Sequence, residues 1–347
     1  MPMFQRFGVA MKCLFGLMPA LVGLSSCHTS GLLSNTRTIS NPIMRQQADD
    51  FLRAMPSDLQ QRQTEAIVAA IDGDNTALMA VRNARNTPPQ PDKSVATRML
   101  TPTLRLYEPV HTSKEPLPVL VYLHGGGWTF GSINSCGRFC NAMAATGRLK
   151  VVAVDYRLAP EHPYPEGLDD CVAAVEFVKT HAQEWGFDTA RVVVGGDSSG
   201  GNLALATALT DRLRGRVESL VLFYPVTKAF ADGSDSWRKF GEGYGLDATI
   251  MEAFNRAYTQ TIDPRHPSVS IALASDESMA ALPRTLIVSA GRDILCDQGR
   301  ELAERMGPKA TRIVFADAVH LFITVPGQDE AFGQAVRCAA DFVCPER

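Results

Sequence analysis

The 347-residue sequence predicts an α/β fold built on a mostly parallel, doubly wound sheet. Short apolar stretches of strand length recur along the chain, with helical periodicity between several of them, as in a parallel sheet covered on both faces. Two glycine-rich motifs directly follow two of these stretches, at the carboxyl ends of predicted strands. Open α/β sheets bind their ligands at that edge, so we expect the functional site there.

Composition and charge set broad limits on function. Hydrophobic residues make up 45% and charged residues 20% of the chain, which argues against extensive disorder. A net charge of −3 gives no sign of a nucleic-acid partner. The length fits one large α/β domain with insertions, or two smaller domains.

Residues 1–26 predict a secretory signal peptide. Met11 and Lys12 precede twelve apolar residues, 13–24, a run too short to span a membrane. The sequence Leu-Ser-Ser-Cys that ends at Cys27 resembles the bacterial lipobox, in which the cysteine is lipidated and becomes the N terminus. We therefore expect a cell-envelope lipoprotein that meets the membrane only through this anchor. The alternative is an apolar cap helix in a cytoplasmic enzyme.

The cysteines leave the disulfide pattern open. Six remain beyond the predicted lipid anchor: Cys136, Cys140, Cys171, Cys296, Cys338 and Cys344. An even number is compatible with disulfides outside the cytoplasm but does not give their connectivity. Cys136 and Cys140 could equally be neighbours on one helix face. The sequence contains no Cys-x-x-Cys pair of the kind that binds zinc, so we predict no metal site.

Residues 27–95 predict a polar tether followed by an N-terminal cap segment. The polar stretch 28–41 is interpreted as the tether. Ser57 and Gln60 have the spacing of a capping box, and apolar residues recur at helical spacing behind them. Prolines within 87–91 end the helical segment.

The α/β core is predicted over residues 96–347. An alternating pattern predicts a half-buried strand, and continuous apolar stretches predict buried strands. These strands cover residues 103–107, 118–123, 151–154, 191–194, 219–223, 285–289 and 312–315. Helical periodicity covers residues 171–179, 203–213 and 329–343. The alternation is lost over about 228–282, which predicts an insertion above the sheet.

Residues 192–204 form the stretch around which the predicted site is organised. Three valines lead into glycines, then Ser198, then further glycines and the start of a helix. Residues 196–200 fit G-x-S-x-G, where small neighbours allow a strained turn to expose a nucleophile. The backbone N–H of Ser199 would then face developing negative charge. The same glycines also suit close packing of a helix on a sheet. The motif therefore indicates a catalytic serine only together with a base and an acid elsewhere in the chain.

Candidate partners follow two later strands. A serine alcohol needs a base to take its proton and a third group to orient that base. Asp293 and then His320 each follow a predicted strand, which places them at the same edge of the sheet as Ser198. Asp297 and Asp317 are rival acids, for which a structural or capping role is the more common alternative.

A run of three glycines follows the strand at 118–123. Consecutive glycines leave backbone N–H groups open to a tetrahedral oxyanion. We predict Gly126 and Gly127 as oxyanion donors beside Ser199, with His124 and Gly125 supporting the loop. The absence of a following Lys-Ser/Thr excludes a Walker-type phosphate loop.

Four motifs together carry a family resemblance. They are His-Gly-Gly-Gly-Trp at 124–128, Tyr-Arg-Leu-Ala-Pro-Glu-His-Pro-Tyr-Pro at 156–165, Gly-Asp-Ser-Ser-Gly-Gly-Asn at 196–202 and Tyr-Pro-Val-Thr at 224–227. From about Pro118 to its C terminus the chain resembles the hormone-sensitive-lipase-like family of α/β hydrolases. The resemblance implies an α/β-hydrolase fold with a helical cap, which matches residues 42–90 and 228–282.

The resemblance also implies an activity. It indicates hydrolysis of a small-molecule carboxylic ester, usually with a short to medium acyl chain, by a serine mechanism without a cofactor. The implied triad is Ser198, Asp293 and His320, while Asp197 and Asn202 would support the turn and Glu161 the loop beneath the site. The sequence departs from the family at Ile294, where proline is usual, and at Leu321, where glycine is usual. Both departures fall near the substrate pocket.

Other functions remain compatible with these motifs. A triad serves all acyl transfer, so an amidase or a deacetylase or feruloyl-type esterase acting on glycans is an alternative. A ligand-binding receptor of the same fold is a non-enzyme alternative, although such receptors lack the histidine that His320 supplies here. The oligomeric state stays open.

Overall fold

A computed structural model of the chain describes residues 35–111 and 115–345, and nine strands form one sheet in that part of the chain. The strands are β1 (Asn35–Ile39), β2 (Val95–Thr101), β3 (Leu104–Pro109), β4 (Leu117–Leu123), β5 (Lys150–Val154), β6 (Phe187–Asp197), β7 (Ser219–Phe223), β8 (Arg284–Arg292) and β9 (Ala310–Val319). Their order is β1-β9-β8-β7-β6-β4-β5-β3-β2. Only β3 pairs antiparallel, with β2 and β5, so the prediction of a mostly parallel sheet is confirmed.

Helices cover both faces of this sheet. They are α1 (Pro42–Ala54), α2 (Leu59–Ile71), α3 (Thr76–Arg85), α4 (Gly137–Ala145), α5 (Glu166–Thr180), α6 (Ala182–Trp185), α7 (Ser199–Leu209), α8 (Asp235–Phe240), α9 (Ala248–Tyr258), α10 (Asp276–Ala281), α11 (Cys296–Met306) and α12 (Asp329–Val343). Short 3-10 turns lie at Ile271–Leu273 and Gly307–Lys309. The closing helix, α12, has the predicted bounds.

The residues of β4 show why the central strands are apolar throughout. Val119 and Val121 point into the hydrophobic core that holds α5 and α7, and Leu120 and Tyr122 point into the core beside α4 and α12. Successive side chains of a strand face opposite sides of the sheet, so burial of both faces requires an unbroken apolar run. The observed packing is therefore doubly wound.

Residues 35–41 belong to the folded domain, which corrects that part of the tether predicted over residues 28–41. Within it, β1 pairs in parallel with β9. The Asp317 carboxylate then accepts hydrogen bonds from Ser40 Oγ (2.6 Å) and the Asn41 N–H (2.9 Å), and it forms an ion pair with Arg45. The strand is polar because it lies at an exposed edge of the sheet, and this polarity led to its interpretation as a tether. The antiparallel strand β2 was also missed.

The cap is built where α2, which also packs on α3, meets α9 of the insertion, whereas α1 packs on β9 and α12. Gln60 joins the two segments by donating to the Gly245 carbonyl (2.9 Å) and accepting from the Asp247 N–H (3.4 Å). The helix predicted behind Ser57 is present, but its capping box is not, since Asp58 is the N-cap and makes no side-chain cap bond. Gln60 instead bonds to the insertion.

The predicted signal peptide and the lipobox at Cys27 lie outside the described residues. Within residues 35–111 and 115–345, no helix is both long enough and apolar enough to cross a membrane. The six cysteines of the same part of the chain are free thiols, so the structure contains none of the disulfides that their even number allowed.

Candidate active site

Ser198 occupies the turn between β6 and α7 with φ of 54° and ψ of −118°, a conformation that is strained for a residue with a side chain. Its N–H donates to the Phe223 carbonyl (2.9 Å), and its own carbonyl accepts from the Val226 N–H (3.1 Å). A Cβ on Gly200 would collide with the Leu123 carbonyl oxygen. The predicted sharp turn therefore depends on backbone bonds and on glycine at a close approach.

Asp293, His320 and Ser198 are brought together at the carboxyl ends of β8, β9 and β6. The Asp293 carboxylate lies 2.7 Å from His320 Nδ1, and His320 Nε2 lies 3.2 Å from Ser198 Oγ. A carboxylate can only accept, so Nδ1 carries the proton and Nε2 presents a lone pair to the serine hydroxyl. All three residues are buried, with exposures of 1%, 2% and 6%.

The rival acids have other partners. Asp297 lies in the first turn of α11 and accepts hydrogen bonds from the Ser236 N–H (2.8 Å) and Arg300 Nε (3.2 Å). Asp317 bonds to the N-terminal segment, as described above. Neither contacts the imidazole, and Asp293 is the carboxylate that orients it.

Gln328 and Tyr224 fix the histidine loop. The Gln328 amide donates to the His320 carbonyl (3.0 Å) and accepts from the Val319 N–H (3.0 Å), and the side chain is fully buried. The Tyr224 ring packs 4.2 Å from the imidazole, centroid to centroid. Sequence reasoning missed both as site residues. The Tyr-Pro motif marked Tyr224, whereas Gln328 belongs to no motif and has no sequence signal.

The predicted oxyanion donors lie in the glycine loop after β4 and at the start of α7. Gly126 and Gly127 have left-handed φ values of 120° and 61°, which glycine adopts without strain. None of the described residues accepts a hydrogen bond from the N–H of Gly126, Gly127 or Ser199. Free N–H groups at a helix start and a glycine loop suit a developing negative charge.

Asp197 anchors the oxyanion loop from below. Its Oδ1 accepts from the Tyr122 hydroxyl (2.8 Å) and the Gly125 N–H (3.0 Å), and a Cβ on Gly125 would overlap this carboxylate. Burial raises the pKa of Asp197 to about 6, against the lowering effect of the Tyr122 and Gly125 bonds. Asp197 thus ties the residue before the nucleophile to the glycine loop.

His124 has the position of a loop anchor. Its Nδ1 donates to the Gly125 carbonyl (2.9 Å), its ring stacks on Tyr156 at 4.3 Å, and its carbonyl accepts from the Tyr156 hydroxyl (2.6 Å). Burial lowers the pKa of His124, which favours the neutral ring. It makes no contact with Ser198.

Asn202 and Glu161 connect the core to the two parts of the cap. The Asn202 amide donates to the carbonyls of Val226 (3.1 Å) and Val269 (2.8 Å), which holds the segment that follows β7 and the end of the insertion. The Glu161 carboxylate pairs with Arg82 of α3 at 2.7 and 2.8 Å. Both side chains position the elements around the site.

The cap closes over the glycine loop. The Phe254 ring of α9 lies where a Cβ on Gly127 would stand. Trp128 stacks on Tyr258 of the same helix at 4.4 Å, with the rings parallel to within 1°. Aromatic contacts of this kind add to the energy of apolar burial. Helix α9 therefore covers the glycine loop.

The two departures from the family motif lie at the edge of the site. Leu321 has φ of 73°, a left-handed conformation that explains why glycine is usual there. Ile294 is fully buried, and its carbonyl accepts from Ser236 Oγ of α8 (2.8 Å). Among the described residues, no group of three or more His, Cys, Asp or Glu side chains could hold a metal ion.

Known proteins provide an independent comparison. Residues 120–324 match the family described as the alpha/beta hydrolase fold. Carboxylesterase NlhH of Mycobacterium tuberculosis is 33% identical over 287 residues, 77% of this chain and 89% of its own length. An ethyl acetate hydrolase of Pseudomonas putida is 34% identical, over 67% and 75%. The crystal structure of a variant of the esterase rPPE superposes with a TM-score of 0.76 at 25% identity, covering 87% and 97%.

The raised pKa of Asp197 predicts a pH-dependent stability. The folded state holds a proton that the unfolded chain releases near its ordinary pKa, so stability is present at low pH and is lost as pH rises toward the folded value of about 6. Relative to Asp197→Asn, the wild type should lose about 2 kcal/mol of unfolding free energy between pH 4.5 and 7.5. Urea unfolding at both pH values measures this loss.

Asp341→Asn is the matched control, because Asp341 forms an exposed pair with Arg148. The difference in unfolding free energy between Asp341→Asn and the wild type should change little over this pH range. If the unfolding free energies of the wild type and Asp197→Asn differ by the same amount at both pH values, the raised pKa of Asp197 is contradicted.

Proposed function

This chain belongs to the hormone-sensitive-lipase-like family of α/β hydrolases, and on that premise we propose that it is a carboxylesterase whose catalytic triad is Ser198, His320 and Asp293. The observation that carries the proposal is the continuous chain of hydrogen bonds from the Asp293 carboxylate through His320 to the Ser198 hydroxyl. This arrangement activates a serine for attack on a carbonyl carbon.

Acylation begins when Ser198 Oγ attacks the ester carbonyl and His320 Nε2 takes the hydroxyl proton. The imidazolium that forms is stabilised by the Asp293 carboxylate, which also keeps Nε2 aimed at the serine. When the tetrahedral intermediate collapses, the bond to the alkoxy oxygen breaks and His320 returns the proton to the leaving alcohol. The acyl group remains on Ser198.

The tetrahedral oxygen carries negative charge in each half-reaction. The N–H groups of Gly126, Gly127 and Ser199 are free to donate to it. Such donors are worth most in an enclosed, water-poor site, because they need no reorganisation as the charge forms. The contact between Asp197 and Gly125 keeps this loop in place.

Deacylation repeats the chemistry with water as the nucleophile. His320 removes a proton from the water, the hydroxide adds to the acyl carbon, and collapse expels Ser198 Oγ. The serine recovers its proton from the imidazolium, and a carboxylic acid leaves. No group beyond the triad and the oxyanion donors is needed for this cycle.

The proposed substrates are small esters with short to medium acyl chains. Ser198 is only 6% exposed, and the Phe254 ring packs on Gly127 from the cap. A pocket enclosed in this way suits a small substrate better than a long or polymeric one. The similarity to an ethyl acetate hydrolase supports the same size range.

The first test is hydrolysis of a series of 4-nitrophenyl esters from acetate to palmitate, beside acetylated xylan and a matched anilide. We expect turnover of the short and medium esters, and its loss in Ser198→Ala with the melting temperature retained. Ser219→Ala is the control, since this buried serine starts β7 at the opposite end of the sheet. Equal turnover by Ser198→Ala would exclude the serine mechanism, and a wild type that only binds the esters would favour a receptor.

A second prediction tests whether Asp293 or Asp297 is the carboxylate that orients His320. Asp293→Asn should reduce kcat by roughly ten thousand-fold, because the amide donates to Nδ1 and leaves the wrong imidazole tautomer. Asp297→Asn changes a carboxylate four residues away that bonds to Ser236 and not to His320. Its kcat should stay within about tenfold of the wild type. A larger loss in Asp297→Asn would make Asp297 the acid.

We also propose that the enzyme is a lipoprotein of the cell envelope. The support is sequence alone: a basic start, twelve apolar residues at 13–24, and Leu-Ser-Ser-Cys ending at Cys27. Two kinds of acylation at one N-terminal cysteine would supply the multiple chains that stable anchoring requires. The catalytic domain would then work outside the cytoplasm.

Intact mass and membrane fractionation test this localisation in the native host. Cys27→Ser should release the protein from the membrane fraction or stall processing, without loss of specific activity. Cys13→Ser, within the apolar run, should process normally. A mature protein that keeps Met1 or Met11, carries no lipid and stays in the cytosol would refute the proposal.

A further inference from the structure

Arg85, the last residue of α3, is a half-buried arginine with no hydrogen bond or ion pair to any residue that the structure describes. Arg82, one turn earlier, shows the usual arrangement: it pairs with Glu161 and donates to the Thr129 carbonyl (2.8 Å). Burial lowers the pKa of Arg85, and the negative charge of Asp197 opposes that shift. The guanidinium stays charged at neutral pH, so it is a half-buried cation without a paired anion.

Arg85 lies beside the oxyanion loop. Its guanidinium carbon is 5.2 Å from the centroid of the Phe130 ring. The Phe130 N–H donates to the Gly126 carbonyl (2.8 Å), and its ring meets Phe254 edge-on at 5.3 Å. Phe254 in turn covers Gly127. These contacts connect the Arg85 guanidinium to the glycine loop beside the serine through two aromatic rings.

No nitrogen of the Arg85 guanidinium is cut off from solvent, although the side chain is half-buried. Among the described residues the face of the Phe130 ring is its partner, which leaves the N–H donors open to solvent. The side chain keeps part of its surface open, so an anion from solution can reach it. The planar fork of an arginine matches the two oxygens of a carboxylate.

We propose that Arg85 binds a carboxylate carried by the substrate, so that the preferred esters are anionic. The inference rests on the proposed function, because the anion is part of an ester that Ser198 cleaves. The carboxylate belongs to the acyl or the alcohol part of the ester, and the probes below distinguish these two arms. Arg85 is a specificity-determining residue in this scheme and takes no part in proton transfer.

Two pairs of esters of nearly equal shape test the proposal by titration of the released acid at constant pH. On the alcohol side, acetoxyacetate is compared with isobutyl acetate, in which an isopropyl group replaces the carboxylate. On the acyl side, monoethyl succinate is compared with ethyl 4-methylpentanoate. The enzymes are the wild type, Arg85→Gln, Arg85→Lys and the control Arg82→Gln.

In at least one pair, Arg85→Gln should lower kcat/KM for the anionic ester by about tenfold or more, and change the neutral ester less than about threefold. For Arg85→Lys, kcat/KM for the anionic ester should lie between the values of the wild type and Arg85→Gln, because lysine keeps the charge but lacks the planar fork. Arg82→Gln removes the same charge from the same helix and should leave the ratio of anionic to neutral ester unchanged.

Retention of the wild-type ratio in Arg85→Gln, in both pairs, would overturn the proposal. An equal loss for both members would also overturn it, and would assign Arg85 to packing against Phe130. A wild-type enzyme that prefers the anionic ester in neither pair would also overturn the proposal. This outcome does not depend on whether any variant folds. Hydrolysis of the neutral esters then keeps the esterase function intact, whereas failure to cleave any ester removes both.

Discussion

The left-handed backbone at Ser198 is the constraint on which the site depends. A residue with a side chain avoids this conformation, so the fold must hold it in place, here through the Phe223 carbonyl and the Val226 N–H. The strained turn raises the hydroxyl above the sheet edge. Loops from β4, β8 and β9 can then reach it from both sides, because these strands flank β6 in the parallel order of the sheet.

The parts of the site that lie on buried strands were predictable from the sequence. Ser198, Asp293 and His320 each follow an apolar run, and parallel order brings such ends together. Strand β1 was not predictable, because an exposed edge strand needs no apolar residues. Gln60 was assigned to a capping box and Gln328 to no site, because each bonds to a partner that folding alone brings near.

Burial links the electrostatics of the site to its enclosure. The same cap that excludes water from Ser198 also strengthens the attraction between His320 and Asp293, since fewer water dipoles oppose it. Burial within the core acts on Asp197 in a related way, because it disfavours the ionised carboxylate and raises its pKa.

The pairing of β1 with β9 has a consequence for the order in which the protein matures on the ribosome. Asn35 is the partner of Thr311, so the first described strand must wait for nearly the whole chain to be synthesised before it can dock. Contacts this distant in sequence form late, after the loop between them has closed. Helix α1 packs on β9 and α12 as well, so it too can dock only after these elements have been made. A nascent chain would remain without a finished pocket until its final strand emerges.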